Sequence, residues 1–154
     1  MLVLILGCGR VGARLANVLD GEGHDVRVID GNVDSFQRLA SDFKGTTIVG
    51  QGIDDDVLRK AGIEKADVFA AVTNDDNTNI MASQMAKVLH NVPKVITRIY
   101  DPIREETYQT LGLETVCPTA LGAHLIEEML DRYDSGNGAA KPTPAADRLP
   151  RDPR

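Results

Sequence analysis

The sequence predicts an α/β fold in which a doubly wound, parallel sheet of six strands carries helices on both faces. Three observations indicate this class. Short apolar runs alternate with helical stretches six times within the first 133 residues, which is the order that builds a parallel sheet. The runs are apolar nearly throughout, as in strands covered on both faces. A glycine-rich turn joins the first run to the first helix.

The strands are predicted from apolar runs that are too short for helices and rich in β-branched residues. They cover residues 2–6, 26–29, 46–49, 68–72, 95–99 and 115–117. Because crossovers between parallel strands are right-handed, we expect one sheet with the strand order 3-2-1-4-5-6. This sheet and its helices form a single predicted domain, residues 1–133.

Helices are expected between the strands. The first has apolar residues at helical spacing and glycines after its last turn, namely Val11, Leu15, Val18 and Leu19, then Gly21 and Gly23. The next four are expected over residues 33–42, 54–60, 75–90 and 102–111. The 75–90 helix is expected to present one apolar face, made of Ile80, Met81, Met85 and Val88.

The C-terminal part divides into a helix and a tail. Thr119 is expected to cap the last helix, whose apolar stripe consists of Leu121, Leu125, Ile126, Met129, Leu130 and Tyr133. Residues 134–154 contain four prolines, two glycines and one large aliphatic residue. Because that composition cannot support a packed element, we expect a disordered tail that is a solvated end or a short docking segment.

The composition excludes several classes of protein. The net charge of −6 and the lack of Trp argue against nucleic acid or anionic lipid as a partner. No run of about 18 apolar residues is present to span a membrane, and the apolar start at 1–6 lacks the basic region of a signal peptide. Two widely separated cysteines, Cys8 and Cys117, suit neither a disulfide framework nor a zinc site, so a cytoplasmic protein is expected.

The glycine-rich turn is the motif that carries chemistry. Residues 7–12 read Gly-Cys-Gly-Arg-Val-Gly, a G-x-G-x-x-G pattern between the first strand and the first helix. In that context Gly7 makes the tight turn, Gly9 lets the backbone approach a pyrophosphate, and Gly12 lets the helix pack close to the strand. The alternative is a plain strand-to-helix turn. The pattern favours a Rossmann-like nucleotide-binding domain whose helix N-terminus faces an anion.

Asp30 is the predicted ribose ligand. It ends the second strand, 18 residues after Gly12, where an acidic side chain accepts hydrogen bonds from ribose hydroxyls. Its charge would repel a 2′-phosphate, and Gly31 and Asn32 offer no cation for one. NAD or another adenosine nucleotide is therefore favoured over NADP. The alternative is a solvated aspartate at a strand end.

Arg10 is a candidate phosphate contact. A cation in the first turn of a helix opposes the helix dipole, and a bound phosphate would reverse that unfavourable effect. The alternative is a long side chain that extends into water.

The opposite side of the expected crevice offers three further candidates. In this strand order, ligands bind where the order reverses, between strands 1 and 4, so Thr73 and Asn74 after strand 4 are expected to face the glycine turn. Capping of the next helix by Asn74 or Asp75 is the simpler interpretation, and both roles are compatible. Arg98 near the end of strand 5 needs a partner, either a phosphate or an acid on a neighbouring helix.

Catalytic equipment is not recognisable in the sequence. None of His24, His90 and His124 falls into a triad pattern, and the acidic runs lack the spacing of a calcium loop. Cys8 at a helix start could have a lowered pKa, although a small residue that fits the turn is the simpler explanation. Nearly every residue builds the nucleotide fold itself, so we expect a sensor with no catalytic residues.

Three stretches resemble the TrkA N-terminal domain family, also called RCK or KTN domains, of potassium uptake regulatory proteins. They are residues 5–12 (ILGCGRVG), 54–73 (DDDVLRKAGIEKADVFAAVT) and 76–80 (DNTNI), and the resemblance covers 1–133. It implies a regulatory subunit that binds NAD(H), or alternatively ATP, ADP or AMP. Such a subunit lies at the inner face of the membrane and gates a membrane-embedded potassium-translocating subunit.

The resemblance also implies binding residues and an assembly. The family's nucleotide contacts correspond to Gly7, Cys8, Gly9, Arg10 and Val11, to Asp30, to Thr73 and Asn74, and to Arg98. The family implies homodimers or larger rings, with the final helix (119–133) between subunits or, alternatively, packed on its own sheet.

Three departures from the family pattern matter. Family members usually have Gly-Asp-Ala after strand 3, near the adenine, whereas this chain has Gly50-Gln51-Gly52, so Gln51 bears on which nucleotide binds. Some members place a Glu after the Pro that follows strand 6, as a metal ligand. Here Thr119 follows Pro118, and no such metal site is expected. The second, ligand-sensing domain of many members is also not seen, which implies a second regulatory subunit or a fragment.

Two other classes of function remain open. A small NAD-dependent oxidoreductase would transfer hydride to some substrate, although no substrate domain is evident. A nucleotide-free assembly module would bind no nucleotide even at millimolar concentration.

Overall fold

Six parallel strands form the sheet of the computed structural model, which describes residues 1–134. The strands are β1 (Leu2–Leu6), β2 (Asp25–Asp30), β3 (Thr46–Val49), β4 (Val68–Ala71), β5 (Lys94–Arg98) and β6 (Glu114–Val116). Their order is β3-β2-β1-β4-β5-β6, and every neighbouring pair is parallel. The predicted fold class and strand order are therefore confirmed.

β1 is the most completely buried strand, and its side chains divide between two core layers. Leu4 and Leu6 belong to one hydrophobic cluster and Val3 and Ile5 to the other. Alternate residues of a strand point to opposite faces, so this division places a helical layer on each face. The continuous apolar run in the sequence follows from burial on both sides.

The helices follow the strands in alternation. They are α1 (Arg10–Gly21), α2 (Asp55–Ala61), α3 (Asp76–Gln84, continuing as a π-helical turn over Met85–Leu89), α4 (Pro102–Thr110) and α5 (Pro118–Asp134). Two short 3₁₀ helices cover Val33–Arg38 and Ile63–Lys65. The core layer with α1 contains Ala13 and Ala16, and the layer with α2 and α3 contains Leu58 and Ala82.

The predicted helix over 33–42 is wrong beyond Arg38. The chain forms a 3₁₀ helix and becomes extended at Leu39 (φ −71°, ψ 149°). The Ala40 N–H then donates to Asn17 Oδ1 of α1 at 2.9 Å instead of to a helical carbonyl. Phe36, Leu39 and Phe43 nevertheless all pack against the same core layer.

The predicted apolar face of the 75–90 helix is not buried as a unit. Met85 packs against the core, but Met81 and Val88 are 55% and 65% exposed, and the fully buried face consists of the small residues Asn79, Ala82, Ser83 and Ala86. Small side chains let the helix approach the sheet closely, and Met81 and Val88 are turned outward. Between α3 and β5, the Thr97 hydroxyl donates to Ser83 Oγ at 2.7 Å in a fully buried hydrogen bond.

α5 begins one residue earlier than predicted. It starts at Pro118, a residue favoured in the first helical turn because its missing N–H would have no helical partner there, so Thr119 is not the cap. The predicted tail begins at Asp134, which is instead the last residue of α5. Residues 135–154 lie outside the described residues. Across residues 1–134, no helix is both long and apolar enough to cross a membrane.

The small-residue face of α3 predicts that a substitution at the exposed Met81 is tolerated, whereas a larger side chain at the neighbouring, buried Ala82 is destabilising. Met81→Gln should change the free energy of unfolding by no more than about 0.5 kcal/mol, because the side chain is exposed. Ala82→Leu should cost about 1–3 kcal/mol, because the larger side chain overpacks the helix–sheet contact. Chemical denaturation of the two variants measures both values. Equal effects would show that the helix face is assigned wrongly.

Candidate nucleotide site

The predicted site residues meet at one edge of the sheet. The glycine-rich turn follows β1, Asp30 ends β2, Thr73 and Asn74 follow β4, and Arg98 ends β5. The strand ends are level, since Leu6 pairs with Ile29 on one side and with Ala71 on the other. The strand order reverses next to β1, which is where doubly wound sheets open a crevice at the carboxyl ends of their strands.

The three glycines of the turn have separate structural roles. Gly7 has φ +102° and lies against Thr73, so the loops after β1 and β4 are in contact. A Cβ on Gly12 would lie 1.8 Å from the Gly7 carbonyl oxygen, so only glycine allows α1 to start this close to β1. A Cβ on Gly9 would meet nothing within 4 Å. The backbone at Gly9 is thus open to a large group from outside.

Asp30 holds the glycine-rich turn in place. Its Oδ2 accepts a hydrogen bond from Cys8 N–H at 2.7 Å, and its Oδ1 accepts one from Asn32 N–H at 2.8 Å. A carboxylate has about four acceptor positions, so each oxygen retains capacity for a further donor such as a hydroxyl. The sequence pointed to Asp30 as a ligand but did not reveal this structural role.

Cys8 is a packed residue of the turn. Its side chain is fully buried, and burial raises the pKa of its thiol to about 11, helped by the negative charge of Asp30 and opposed by Arg38. The thiol is therefore protonated at neutral pH. The helix start does not lower the pKa of this cysteine, and the simpler explanation, that a small side chain fits the turn, agrees with the structure.

Arg10, Val11 and Gln51 are exposed around the same edge. Arg10 is the first residue of α1, whose first turn contains no acidic residue, and Val11 is 44% exposed. Gln51 lies beside the turn that follows Asp30, since its Nε2 would be 2.9 Å from a Cβ on Gly31. All three positions follow the carboxyl ends of strands β1 and β3.

Of the two residues considered as the cap of α3, Asn74 and Asp75, the structure shows Asp75. Its Oδ1 accepts a hydrogen bond from Thr78 N–H at 2.6 Å, and this bond holds the pKa of the Asp75 carboxyl below its usual value. Asn74 is exposed in the same loop. The neighbouring acid therefore performs the capping, and the Asn74 amide is not needed for it.

Arg98 lies against the loop after β4. Its Nη1 donates to the Thr73 carbonyl at 3.1 Å and to the Val72 carbonyl at 3.5 Å. Its Nε is buried without a hydrogen-bond partner. Within residues 1–134, Arg98 forms no ion pair with an acidic side chain, so the helix-acid alternative is not supported. A buried guanidinium donor without an acceptor is unusual and suits an anionic group.

Asn79 is the residue of this edge that sequence reasoning missed. It is fully buried on α3 and forms hydrogen bonds with both Thr73 and Arg98. A useful signal was its helical spacing from the small residues Ala82, Ser83 and Ala86. Within residues 1–134, no three His, Cys, Asp or Glu side chains are grouped so that they could hold a metal ion.

The sheet order and the glycine-rich turn define a Rossmann-like α/β domain, the class that binds nucleotides at this edge. The chain belongs to the TrkA-N domain family, whose model matches residues 3–119. The Trk system potassium uptake protein TrkA of Streptomyces coelicolor is 52% identical over 116 residues, which cover 75% of this chain and 52% of that protein. The chain thus spans about half of the length of this relative.

Solved structures of the GsuK channel have the same fold. The channel bound to NAD superimposes with a TM-score of 0.73 and 25% identity, covering 87% of this chain and 24% of the channel chain. The structure of GsuK bound to ADP gives a TM-score of 0.72 and 25% identity, covering 86% of this chain and 34% of that chain.

The glycine geometry predicts different costs for two similar substitutions. Gly12→Ala should destabilise the fold by at least about 2 kcal/mol, because the new methyl group would overlap the Gly7 carbonyl. Gly9→Ala should change stability by no more than about 0.5 kcal/mol, since its methyl group enters open space. Urea denaturation of both variants measures these values. A Gly12→Ala variant as stable as the unsubstituted protein would contradict the proposed close approach of α1.

Proposed function

We propose that this protein binds NAD(H), or alternatively ATP, ADP or AMP, and regulates a potassium uptake system without catalysing a reaction itself. The observation that carries the proposal is the convergence of the open glycine-rich turn, Asp30 and Arg98 at the switch point of one sheet. The Streptomyces coelicolor relative is a Trk system potassium uptake protein, which supports the potassium uptake role. The NAD-bound and ADP-bound GsuK structures support the ligand class.

The phosphates are proposed to lie over the glycine-rich turn. Gly9 leaves the backbone accessible, and the free N–H groups at the start of α1 favour an anion. Arg10 on this side and Arg98 on the other supply positive charge, while Cys8, Val11 and Gly12 shape the turn. Thr73 and Asn74 contribute a hydroxyl and an amide to the same ligand. A diphosphate-containing nucleotide is the ligand whose charge matches this set.

The adenosine ribose is proposed to bind Asp30. Both carboxylate oxygens retain acceptor capacity for the 2′- and 3′-hydroxyls. The negative charge at this position disfavours the 2′-phosphate of NADP. Gln51, which lies beside the turn after Asp30, is proposed to border the adenine. NAD(H) ranks first because it satisfies these groups and extends towards Thr73 and Asn74.

Regulation is proposed to work through a shift between two conformations. A nucleotide that binds one conformation more tightly moves the equilibrium towards it, by no more than the difference between its two binding free energies. The partner is proposed to be a membrane-embedded potassium-translocating subunit, which this protein contacts from the cytoplasm. A second regulatory subunit supplies further sensing in that arrangement.

Assembly of identical subunits is proposed to use α5. Large apolar side chains are exposed along this helix: Leu121, Leu125, Ile126, Met129, Leu130 and Tyr133. A helix that presents such a stripe is suited to bury it against the same stripe of a second copy, as in an isologous dimer. Larger rings would form by repeating this contact with another interface.

Calorimetry with NAD, NADH, NADP, ATP, ADP and AMP tests the ligand assignment. Asp30→Asn should weaken NAD binding about tenfold, equal to about 1.4 kcal/mol, and should reduce the preference for NAD over NADP because the repelling charge is removed. Where the translocating subunit is present, the same variant should reduce the effect of nucleotide on potassium uptake.

Asp25→Asn is the matched control for this measurement. Asp25 lies at the other end of β2 and pairs with Arg27 at 3.0 Å, far along the strand from the carboxyl edge, so its loss should leave the affinities unchanged. Equal binding of NADP and NAD by the unsubstituted protein would contradict the ribose placement. Absence of binding for all six compounds would refute the nucleotide function.

Sedimentation velocity tests the assembly. The unsubstituted chain should sediment as a dimer or larger species, and Leu130→Glu should shift it towards monomer, because a charge is placed in the shared stripe. Glu127→Gln, an exposed position on the same helix, should leave the distribution unchanged. A monomer at every concentration, or an unchanged assembly in Leu130→Glu, would rule out the stripe as the interface.

A further inference from the structure

We infer that Asn79 is a positioning residue for nucleotide binding, which fixes Thr73 and Arg98 as one unit on the β4 and β5 side of the crevice. The inference rests on the proposed nucleotide function and assigns a role to a residue that lies beneath the site.

Asn79 has a complete set of hydrogen bonds. Its Oδ1 accepts from Thr73 N–H at 3.0 Å and from the Thr73 hydroxyl at 2.7 Å. Its Nδ2 donates to the Thr73 carbonyl at 3.1 Å and to the Arg98 carbonyl at 3.0 Å. A side-chain amide has two donors and two acceptor positions, so every one is used. No other side chain of this size could bind a backbone donor and two carbonyls together.

The amide joins two loops that are distant in sequence. Thr73 follows β4 and Arg98 ends β5, and Asn79 is fully buried between their backbones. An apolar side chain in its place would leave buried backbone groups unpaired, which costs about 1–3 kcal/mol for each group. The relative position of the two loops therefore depends on this one side chain.

Arg98 depends on Asn79 through a shared acceptor. The Thr73 carbonyl receives both Asn79 Nδ2 and Arg98 Nη1, so the amide fixes the oxygen against which the guanidinium rests. Arg98 Nε remains buried without an acceptor. We assign the phosphate contact to the guanidinium group of Arg98 as a whole, which Asn79 holds in position through the Thr73 carbonyl.

A second contact strengthens the connection between α3 and the loop after β5. Asp76, in the first turn of α3, accepts hydrogen bonds from Tyr100 N–H at 2.8 Å and from Asp101 N–H at 3.4 Å. Asp76 thus holds the backbone that follows Ile99, and Asn79 holds the Arg98 carbonyl that precedes it. Asn79 adds the contact to Thr73, the residue that lies against Gly7 of the glycine-rich turn.

The test compares Asn79→Ala with Thr97→Val. Thr97 is also fully buried between α3 and β5, where its hydroxyl bonds Ser83. Loss of this hydroxyl weakens the same packing without removing a hydrogen bond of the Thr73 or Arg98 backbone or side chain. Calorimetry with NAD and ADP should give a dissociation constant at least about tenfold higher for Asn79→Ala. Thr97→Val should stay within about twofold, with thermal unfolding recorded for both variants.

A double-mutant cycle with Arg98→Ala measures whether the effects of the two substitutions on affinity are coupled. A purely structural role of Asn79 would give no such coupling. Arg98→Ala should weaken binding about tenfold in the unsubstituted protein and by less than about threefold in the Asn79→Ala background, because the guanidinium is already misplaced there. Additive effects would overturn the inference, as would equal loss of affinity in Asn79→Ala and Thr97→Val.

The outcomes separate this inference from the proposed function. If the unsubstituted protein binds neither NAD nor ADP, the nucleotide function fails and this role with it. If the unsubstituted protein binds and Asn79→Ala binds equally well, only the role of Asn79 is refuted. Should Asn79→Ala not fold, Asn79→Ser, whose shorter side chain keeps one polar group at this buried position, is measured in the same cycle with the same criteria.

Discussion

The close contact between the start of α1 and the end of β1 is the constraint on which the remaining structure depends. Gly12 lies so near the Gly7 carbonyl that even a methyl group would overlap it. Because α1 begins there, its small residues Ala13 and Ala16 can pack directly on the strands. The same contact leaves Gly9, the residue just before α1, exposed. Packing of the core and exposure of the turn are therefore consequences of one steric requirement.

The central strands could be predicted from the sequence because the runs in β1, β2 and β4 are apolar nearly throughout and buried on both faces, a pattern that short helices rarely show. The helices were harder to predict where packing against the sheet, rather than the spacing of apolar residues, decides which helix face is buried. Met81 and Val88 belong to the expected apolar face, yet the face of α3 that is fully buried consists of small side chains. Phe36, Leu39 and Phe43 pack against one core layer from a partly extended chain. In both segments tertiary packing, which the spacing of apolar residues does not show, decides which side chains are buried.

The candidate site likewise contains residues that could be predicted from the sequence and residues that could not. Gly7, Gly9, Gly12 and Asp30 could be predicted because their spacing is set within a single β-α-β unit. Asn79 could not, since an asparagine within a helix ordinarily faces water, and only the fold brings Thr73 and Arg98 to it. The contact of Asp30 with Cys8 N–H was also invisible in sequence, because a strand-end acid carries no signal of what its oxygens bind.

The bonds from Asp30 to the backbone of Cys8 and Asn32 have one further consequence. They order the glycine-rich turn during folding, so its conformational entropy is lost before any ligand arrives. Association then needs little reorganisation on this side, and more of the contact energy is retained as affinity. A preorganised β1–β2 half also cannot change much when a ligand binds. In the proposed function, this half of the site therefore contributes affinity rather than movement.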